Sequence, residues 1–257
     1  MQLAFRRFEG PGAPLIILHG LFGSSKNWAT HAKELSAFYD VYTVDHRNHG
    51  DSPWSDEHTM KAMVADIVAF QNEQIMRPAL YLGHSMGGLV AMGAALLHPD
   101  LVKALIVADI APRAYEPHHQ REFAALRIDV SQMATRQDVD RAMAAVHPEA
   151  SVRQFLQMNL EREGDGFRWK VNVDALEKAE YLAEFDTVFT ALDQTYGGPA
   201  LFLGGRSSTY IREQDHARIK ELFPHAEIRV IDGDHWLHYS NYAGFMREVS
   251  GFLKRIE

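Results

Sequence analysis

The feature that most constrains the fold is the alternation of short β-rich runs with helix-like segments. Six runs without polar alternation are each followed by Gly, His or Asp, and they occupy 15–18, 41–44, 80–82, 105–108, 201–203 and 228–231. Such runs are typical of strands buried on both faces of a parallel sheet. Helix-like spacing occurs at 28–38, 59–76, 86–97, 213–223 and 241–255. The sequence therefore predicts an α/β fold with a mostly parallel, doubly wound sheet.

Residues 112–197 break this alternation. They contain no run of the strand-like kind and are interpreted as four helices, at 117–128, 137–146, 150–160 and 174–192, with a turn at 164–166. No flexible linker flanks the segment, so we expect a helical cap inserted between two late strands. This gives one domain, with a core of residues 1–111 and 198–257 and a cap of residues 112–197. Residues 3–8 could add a first strand to the core.

The composition excludes several classes of site and partner. With 26 Lys and Arg against 34 Asp and Glu, the formal charge is −8, whereas binding to nucleic-acid phosphates requires a basic face. The absence of cysteine excludes disulfides, thiolate metal sites and a cysteine nucleophile. No apolar run approaches the roughly 20 residues that span a bilayer, and no signal peptide is evident. We expect a cytoplasmic monomer or homodimer without cofactor, metal or membrane span.

A Gly-x-Ser-x-Gly motif follows the third strand-like run and precedes a helix of small residues. Ser85 is its centre, with Gly83 and Gly87 two positions before and after. A serine in a strained strand-to-helix turn needs glycine at both positions, because larger side chains would collide there. The helix N-terminus also directs backbone N–H groups at a developing oxyanion. We therefore predict that Ser85 is a catalytic nucleophile.

A serine nucleophile needs a general base, since its hydroxyl is almost never deprotonated near pH 7. His235 lies in the loop after the last strand-like run, at the carboxyl end of the sheet, and is the predicted base. His238 is the alternative base, or else lines the site. Other histidines are interpreted as surface or packing residues: His31, His58, His98, His118, His119, His147, His216 and His225.

The acidic partner is displaced from its usual position. A carboxylate is expected after the strand preceding the last, but Ser208 stands there, and a hydroxyl cannot stabilise an imidazolium in the same way. Asp109 ends the preceding strand-like run at the same edge of the sheet, close to the Gly-x-Ser-x-Gly turn. We therefore predict Asp109 as the acid, with Asp186 and Asp193 as weaker alternatives.

The remaining site residues are predicted from their positions around Ser85. The loop after the first parallel strand should supply an oxyanion N–H from Leu21, paired with the N–H of Met86, or from Phe22 if the turn is one residue longer. The expected substrate-lining side chains are Phe22, His84, Trp236 and His238 from the core, and Phe123, Phe155, Tyr181 and Phe185 from the cap. Arg206 and Arg127 are the candidates for a charged contact.

The segment 45–51 contains two His and two Asp and could suggest a metal site. Its two histidines have no helical register that would direct both rings to one point, and Arg47 between them repels a cation. We interpret the segment as a structural turn.

Several motifs together resemble a known family: HGLFGS at 19–24, DHRNHGDS at 45–52, GHSMGG at 83–88, DIAP at 109–112 and GDHW at 233–236. They resemble the α/β-hydrolase fold superfamily and, within it, the YbfF group of small bacterial esterases and thioesterases. The resemblance implies action on short acyl esters or acyl-CoA thioesters. In that group the position of the catalytic acid resembles the shifted position at the end of the run 105–108, and this resemblance supports Asp109.

The sequence thus predicts a serine hydrolase that cleaves carboxylic esters, or acyl-CoA thioesters, with apolar short-to-medium acyl groups through an acyl-enzyme. Two alternatives stay open. One is a C–C bond hydrolase or another α/β-hydrolase lyase. The other is a receptor-like binding protein of the same fold with little turnover. Repeated turnover of a p-nitrophenyl ester would distinguish an enzyme from a binding protein.

Overall fold

The computed structural model describes residues 1–189 and 194–256, and a seven-stranded sheet lies at its centre. The strands are β1 Phe5–Phe8, β2 Pro14–Leu18, β3 Asp40–Val44, β4 Ala79–His84, β5 Val102–Ala108, β6 Leu160–Glu163, β7 Gly166–Trp169, β8 Ala200–Gly205 and β9 Ala226–Ile231. The sheet order is β1-β3-β2-β4-β5-β8-β9, and only β1 pairs antiparallel within it. The predicted, mostly parallel sheet is confirmed, and residues 3–8 do contribute its first strand.

Helices cover both faces of the sheet. They are α1 Ala29–Leu35, α2 Met60–Gln74, α3 Met86–Leu97, α4 Gln120–Leu126, α5 Arg136–Ala144, α6 Ala150–Leu156, α7 Val173–Lys178, α8 Tyr181–Phe189, α9 His216–Leu222, α10 Leu237–Ser240 and α11 Tyr242–Arg255. Helices α1 and α11 bury Leu35 and Phe252 against one face, and α2 and α3 bury Ile67 and Leu89 against the other. Strands β2 to β5 are almost entirely buried, as expected for runs without polar alternation.

The chain between β5 and β8 carries α4 to α8, but it differs from the expected all-helical cap in two ways. An antiparallel hairpin, β6–β7, pairs Leu160 with Trp169. Three of the four residues of β6 are charged, so this strand carries no apolar run that would predict it. The helix expected at 174–192 is also broken, because Ala179 is extended after the end of α7. Its last positions, 190–192, lie outside the described residues.

The last cap helix is part of the main core. Phe185 and Phe189 of α8 are fully buried in the same apolar cluster as α2 and α3. The contact is close at Gly93 of α3, where an added Cβ would lie 2.5 Å from the Phe189 ring. The other cap helices instead surround a separate small core that also contains Phe22. No helix of the described residues is both long and apolar enough to cross a membrane.

Candidate active site

Ser85 occupies a strained turn between β4 and α3. Its backbone has φ 51° and ψ −120°, in the left-handed half of φ space that L residues rarely adopt. A Cβ on Gly83 would lie 2.2 Å from the carbonyl oxygen of Gly87, and one on Gly87 would lie 2.4 Å from that of Leu18. Both glycines are therefore required by close backbone approach, as the motif predicts.

Three side chains form a continuous hydrogen-bonded chain at this turn. The Ser85 hydroxyl donates to His235 Nε2 at 3.0 Å, and His235 Nδ1–H donates to Asp109 Oδ2 at 2.8 Å. Asp109 is fully buried at the end of β5, and its Oδ1 accepts the Gly205 N–H at 2.9 Å. The structure therefore brings together the three residues predicted as nucleophile, base and acid.

Ser208 lies where the acid was first expected, and it contacts the acid that replaces it. Its hydroxyl donates a short hydrogen bond to Asp109 Oδ2 and accepts the backbone N–H of Tyr210 at 3.2 Å. The same carboxylate oxygen thus receives hydrogen bonds from Ser208 and His235. The loop after β8 therefore still contributes to the site, through Ser208, although the carboxylate that binds His235 comes from the end of β5.

The alternative base and acids are placed differently. The His238 ring is buried and stacks on Trp28 with centroids 4.6 Å apart and planes at 6°. Asp186 accepts the Ala114 N–H at 3.0 Å and forms no hydrogen bond with His235. Asp193 lies outside the described residues. Among the candidates that the structure describes, His235 and Asp109 alone combine with Ser85 in one hydrogen-bonded chain.

The loop after β2 lies directly against the Ser85 turn, since a Cβ on Gly20 would come within 3.2 Å of Ser85 Cβ. The Phe22 N–H donates to His49 Nε2 at 3.2 Å, which makes it unavailable to a substrate. The Leu21 and Met86 N–H groups donate to no acceptor among the described residues. Of the two alternatives for the oxyanion donor, Leu21 is therefore the one that is free.

Buried histidines hold this loop through defined tautomers. His19 Nδ1–H donates to the Gly20 carbonyl and His19 Nε2 accepts the His46 N–H. His49 Nδ1–H donates to the Arg47 carbonyl, which leaves its Nε2 as the acceptor for Phe22. Burial lowers the pKa of His19 to about 4 and that of His49 to about 3. Both rings are therefore neutral at neutral pH.

These histidines should make the fold sensitive to acid. The unfolded chain binds protons at its histidines near pH 6.5, whereas the folded chain does so only near pH 4 or 3, so stability is full above pH 6.5 and falls below it. We expect each ring to remove roughly 2 kcal/mol of unfolding free energy between pH 6.5 and 5. Urea unfolding at pH 7 and pH 5 measures the free energy of unfolding at each pH. His49→Gln should make the loss between the two pH values smaller, and the control His98→Gln, at an exposed position, should leave it unchanged. Equal stability at both pH values would contradict it.

A cavity of about 230 Å³ opens at Ser85. Five of the predicted lining residues contribute to its wall: Phe22, His84, Phe155, Trp236 and His238. An apolar surface groove of about 580 Å³ adjoins it, formed largely by Phe155, Met158, Trp236 and Tyr239. Phe155, Trp236 and Tyr239 border both spaces, so the groove and the cavity are neighbours across these rings.

The structure places three predicted cap residues away from this cavity. Phe123 packs edge-on against Phe22, and Phe123 and Tyr181 line a neighbouring pocket of about 150 Å³ that shares Leu21 and His119 with the cavity. Phe185 is fully buried against the main core, because α8 turns its apolar face to α2 and α3. The expectation that Phe185 contacts substrate is corrected accordingly.

The two candidate charged contacts also lie elsewhere. Arg127 pairs with Asp174 and Glu177, and Arg206 pairs with Asp232. Neither arginine borders the cavity. Among the cavity-lining residues that the structure describes, none is Lys or Arg, and Glu122 supplies a carboxylate.

Part of the cavity wall at Ser85 is formed by residues that the sequence did not predict. His118 and His119, expected to be surface or packing residues, line the cavity from the cap, together with Tyr210 from the loop after β8. Tyr210 stacks on the His235 ring with centroids 4.0 Å apart and planes at 22°. No local pattern identifies these side chains, because His118 and Tyr210 are 92 residues apart in the chain and meet only in the fold.

The acidic and histidine-rich segment at 45–51 forms internal contacts. Asp45 accepts the backbone N–H groups of Ser25 and Asp51, and Arg47 forms an ion pair with Asp66 at 2.6 Å. Within residues 1–189 and 194–256, no three His, Asp or Glu side chains are grouped so that they could hold a metal ion. The contacts are those of a structural turn.

Comparison with known proteins agrees with this geometry. The family model of the α/β hydrolase fold matches residues 13–242. The sn-1-specific diacylglycerol lipase ABHD11 of Mus musculus is 38% identical over 98% of this chain and 85% of its own length. Esterase YbfF of Escherichia coli (strain K12) is 33% identical over 94% of this chain and 93% of its own length.

Among solved structures, a marine microorganism esterase superposes with a TM-score of 0.92 at 40% sequence identity. The alignment covers 98% of this chain and 99% of that esterase. The likeness therefore extends through the cap as well as the core.

Proposed function

The chain belongs to the α/β-hydrolase fold family, and on that premise we propose that it is a serine hydrolase that cleaves carboxylic esters through an acyl-enzyme. The observation that carries this proposal is the chain of hydrogen bonds from Asp109 through His235 to Ser85, at the wall of an open cavity. The names of the relatives, a lipase and esterases, agree with an ester substrate.

In the proposed reaction, Ser85 Oγ attacks the acyl carbonyl while His235 Nε2 takes the hydroxyl proton. Asp109 keeps the Nδ1–H of His235 directed away from Ser85 and stabilises the imidazolium. The Leu21 and Met86 N–H groups bind the oxyanion, and each such donor is typically worth about 3 to 4 kcal/mol of transition-state stabilisation. His235 then protonates the leaving alcohol. Water, activated by His235, releases the acid and restores Ser85.

The cavity favours an apolar acyl group over an anionic one. Aromatic and aliphatic side chains form most of its wall: Phe22, Trp28, Val152, Phe155, Leu156 and Trp236. Its charged residue, Glu122, would repel a free carboxylate or the phosphates of coenzyme A. We therefore propose that simple esters with short-to-medium apolar acyl groups are better substrates than acyl-CoA thioesters.

A series of p-nitrophenyl esters tests this proposal. We expect many turnovers per Ser85, and kcat/KM rising by up to about fourfold per methylene while the cavity accommodates the chain, since each buried methylene contributes about 0.8 kcal/mol. Specificity should fall once the chain outgrows the cavity of about 230 Å³. A single burst without turnover would instead indicate a binding protein.

An anionic ester of the same series tests the effect of Glu122. p-Nitrophenyl hemisuccinate should have a lower kcat/KM than the butyrate ester. Glu122→Gln should reduce the ratio of the two kcat/KM values. Preference for the hemisuccinate by the parent protein would contradict the apolar cavity.

A further inference from the structure

Tyr210 covers one face of the His235 imidazole. The two rings are nearly parallel, with centroids 4.0 Å apart and planes at 22°. Ser85 and Asp109 occupy the two nitrogens of the same imidazole, at its edge. Tyr210 is therefore stacked on a π face of the proposed base.

Several hydrogen bonds fix Tyr210 in this place. Its backbone N–H donates to Ser208 Oγ at 3.2 Å, and its carbonyl accepts the Tyr115 hydroxyl at 2.7 Å. Its own hydroxyl forms a short hydrogen bond with His118 Nε2. Because Ser208 also donates to Asp109, one hydroxyl joins the segment that carries the tyrosine to the carboxylate that orients His235.

We propose that Tyr210 is a positioning residue for the reaction and that its aromatic face stabilises the imidazolium form of His235. The inference rests on the proposed function, in which His235 becomes positively charged as it takes the proton of Ser85. The face of an aromatic ring is electron-rich and attracts a cation lying over it. The stacked ring also keeps water from that face, so the attraction acts in a medium of reduced polarity.

Besides Asp109, which contacts its edge, the other histidine rings around His235 in the described part of the chain bring no charge to it. His84 lies with its ring centroid 4.8 Å away, and burial lowers the pKa of His84, of His119 and of His238 below the usual range. These three rings are neutral at neutral pH. Asp234 is next in the chain and accepts the Trp236 N–H.

The ionisable groups around Tyr210 itself are the carboxylates of Asp109 and Glu122, the guanidinium of Arg113, and His118. Burial raises the pKa of Tyr210 to about 12, so its phenol is neutral at neutral pH. The stacking partner of His235 is thus an uncharged aromatic face.

Two substitutions separate the aromatic face from the hydroxyl. Tyr210→Leu keeps apolar bulk but removes the face, whereas Tyr210→Phe keeps the face and removes the hydrogen bond to His118. We expect Tyr210→Leu to lower kcat roughly 5- to 30-fold and to move the acid limb of the kcat/KM profile down by roughly half to one pH unit. The sign follows because loss of a group that favours imidazolium makes protonation of His235 less favourable, so the free base persists to lower pH. Tyr210→Phe should stay within about threefold of the parent, with its acid limb unmoved.

A second measurement does not depend on turnover. The His235 ring is titrated by NMR in the resting protein, and its signals are assigned by comparison with His235→Gln. Tyr210→Leu should lower the midpoint of this titration, and Tyr210→Phe should not. Equal losses in both variants, or a rise in KM with no shift of the acid limb or the NMR midpoint, would overturn the role of the aromatic face. Failure of the proposed function would appear separately, as activity retained by Ser85→Ala.

Discussion

Replacing Ser85 by alanine is expected to lower kcat by roughly four to six orders of magnitude. The hydroxyl is the atom that would form the acyl-enzyme, and the hydrogen-bonded chain from Asp109 and His235 ends on it. The residual rate would come from oxyanion binding and substrate positioning alone. Alanine keeps the Cβ that the turn already accommodates at φ 51°, so the fold should persist. Steady-state turnover of p-nitrophenyl butyrate and a thermal melt of the same sample measure both expectations.

The control for this substitution is Ser36→Ala, which removes an exposed hydroxyl bonded to the Lys33 carbonyl. It should leave turnover unchanged. Activity of Ser85→Ala within tenfold of the parent would end the assignment of the nucleophile.

Asparagine in place of Asp109 should lower kcat about 10⁴-fold with little change in substrate affinity. The carboxylate accepts from His235 Nδ1, which leaves Nε2 free to take the proton of Ser85. An amide nitrogen facing Nδ1 would instead favour the tautomer with its proton on Nε2, and that tautomer cannot act as the base. Comparison of kcat and KM for parent and Asp109→Asn measures this effect.

The contact between Ser208 and Asp109 allows a sharper test of the same carboxylate. Because Ser208 Oγ reaches the oxygen that His235 Nδ1 also contacts, the double variant Asp109→Asn/Ser208→Asp should recover part of the loss, roughly tenfold or more. The matched control, Asp109→Asn/Ser208→Asn, adds a similar side chain without charge and should recover nothing. Ser208→Asp alone should lower activity, since two adjacent carboxylates repel. Full activity in Asp109→Asn would exclude Asp109 as the acid.

The sheet and the Ser85 turn could be predicted because their causes are local. A strand buried on both faces requires an unbroken apolar run, and β2, β4 and β5 each contain one. The turn requires Gly83 and Gly87 at fixed spacing from Ser85, since a Cβ on Gly83 would strike the turn itself and one on Gly87 would strike the end of the adjacent strand β2.

The cap was predicted less well because its contacts are not encoded by spacing. Helical periodicity identifies the apolar face of a helix but not the surface against which that face packs. Periodicity alone therefore predicts Phe185 at the site, whereas in the structure Phe185 packs on the main core. The hairpin at 160–169 has a mostly charged first strand and a second strand of only four residues, so no apolar run predicts it. Tyr210 and His118 depend on two distant loops meeting over His235.

The burial of α8 in the main core constrains how a substrate can reach Ser85. Swinging the whole cap away would expose Phe185 and Phe189, and burying one such ring is worth about 2 to 3 kcal/mol. Roughly 5 kcal/mol for the pair leaves such an open form at about one molecule in several thousand. We therefore expect substrate and product to pass without lifting α8, at the edge of the cavity where Phe155, Trp236 and Tyr239 also border the groove. Release of product would then depend on local side-chain motion at this edge, on a timescale far shorter than that of domain opening.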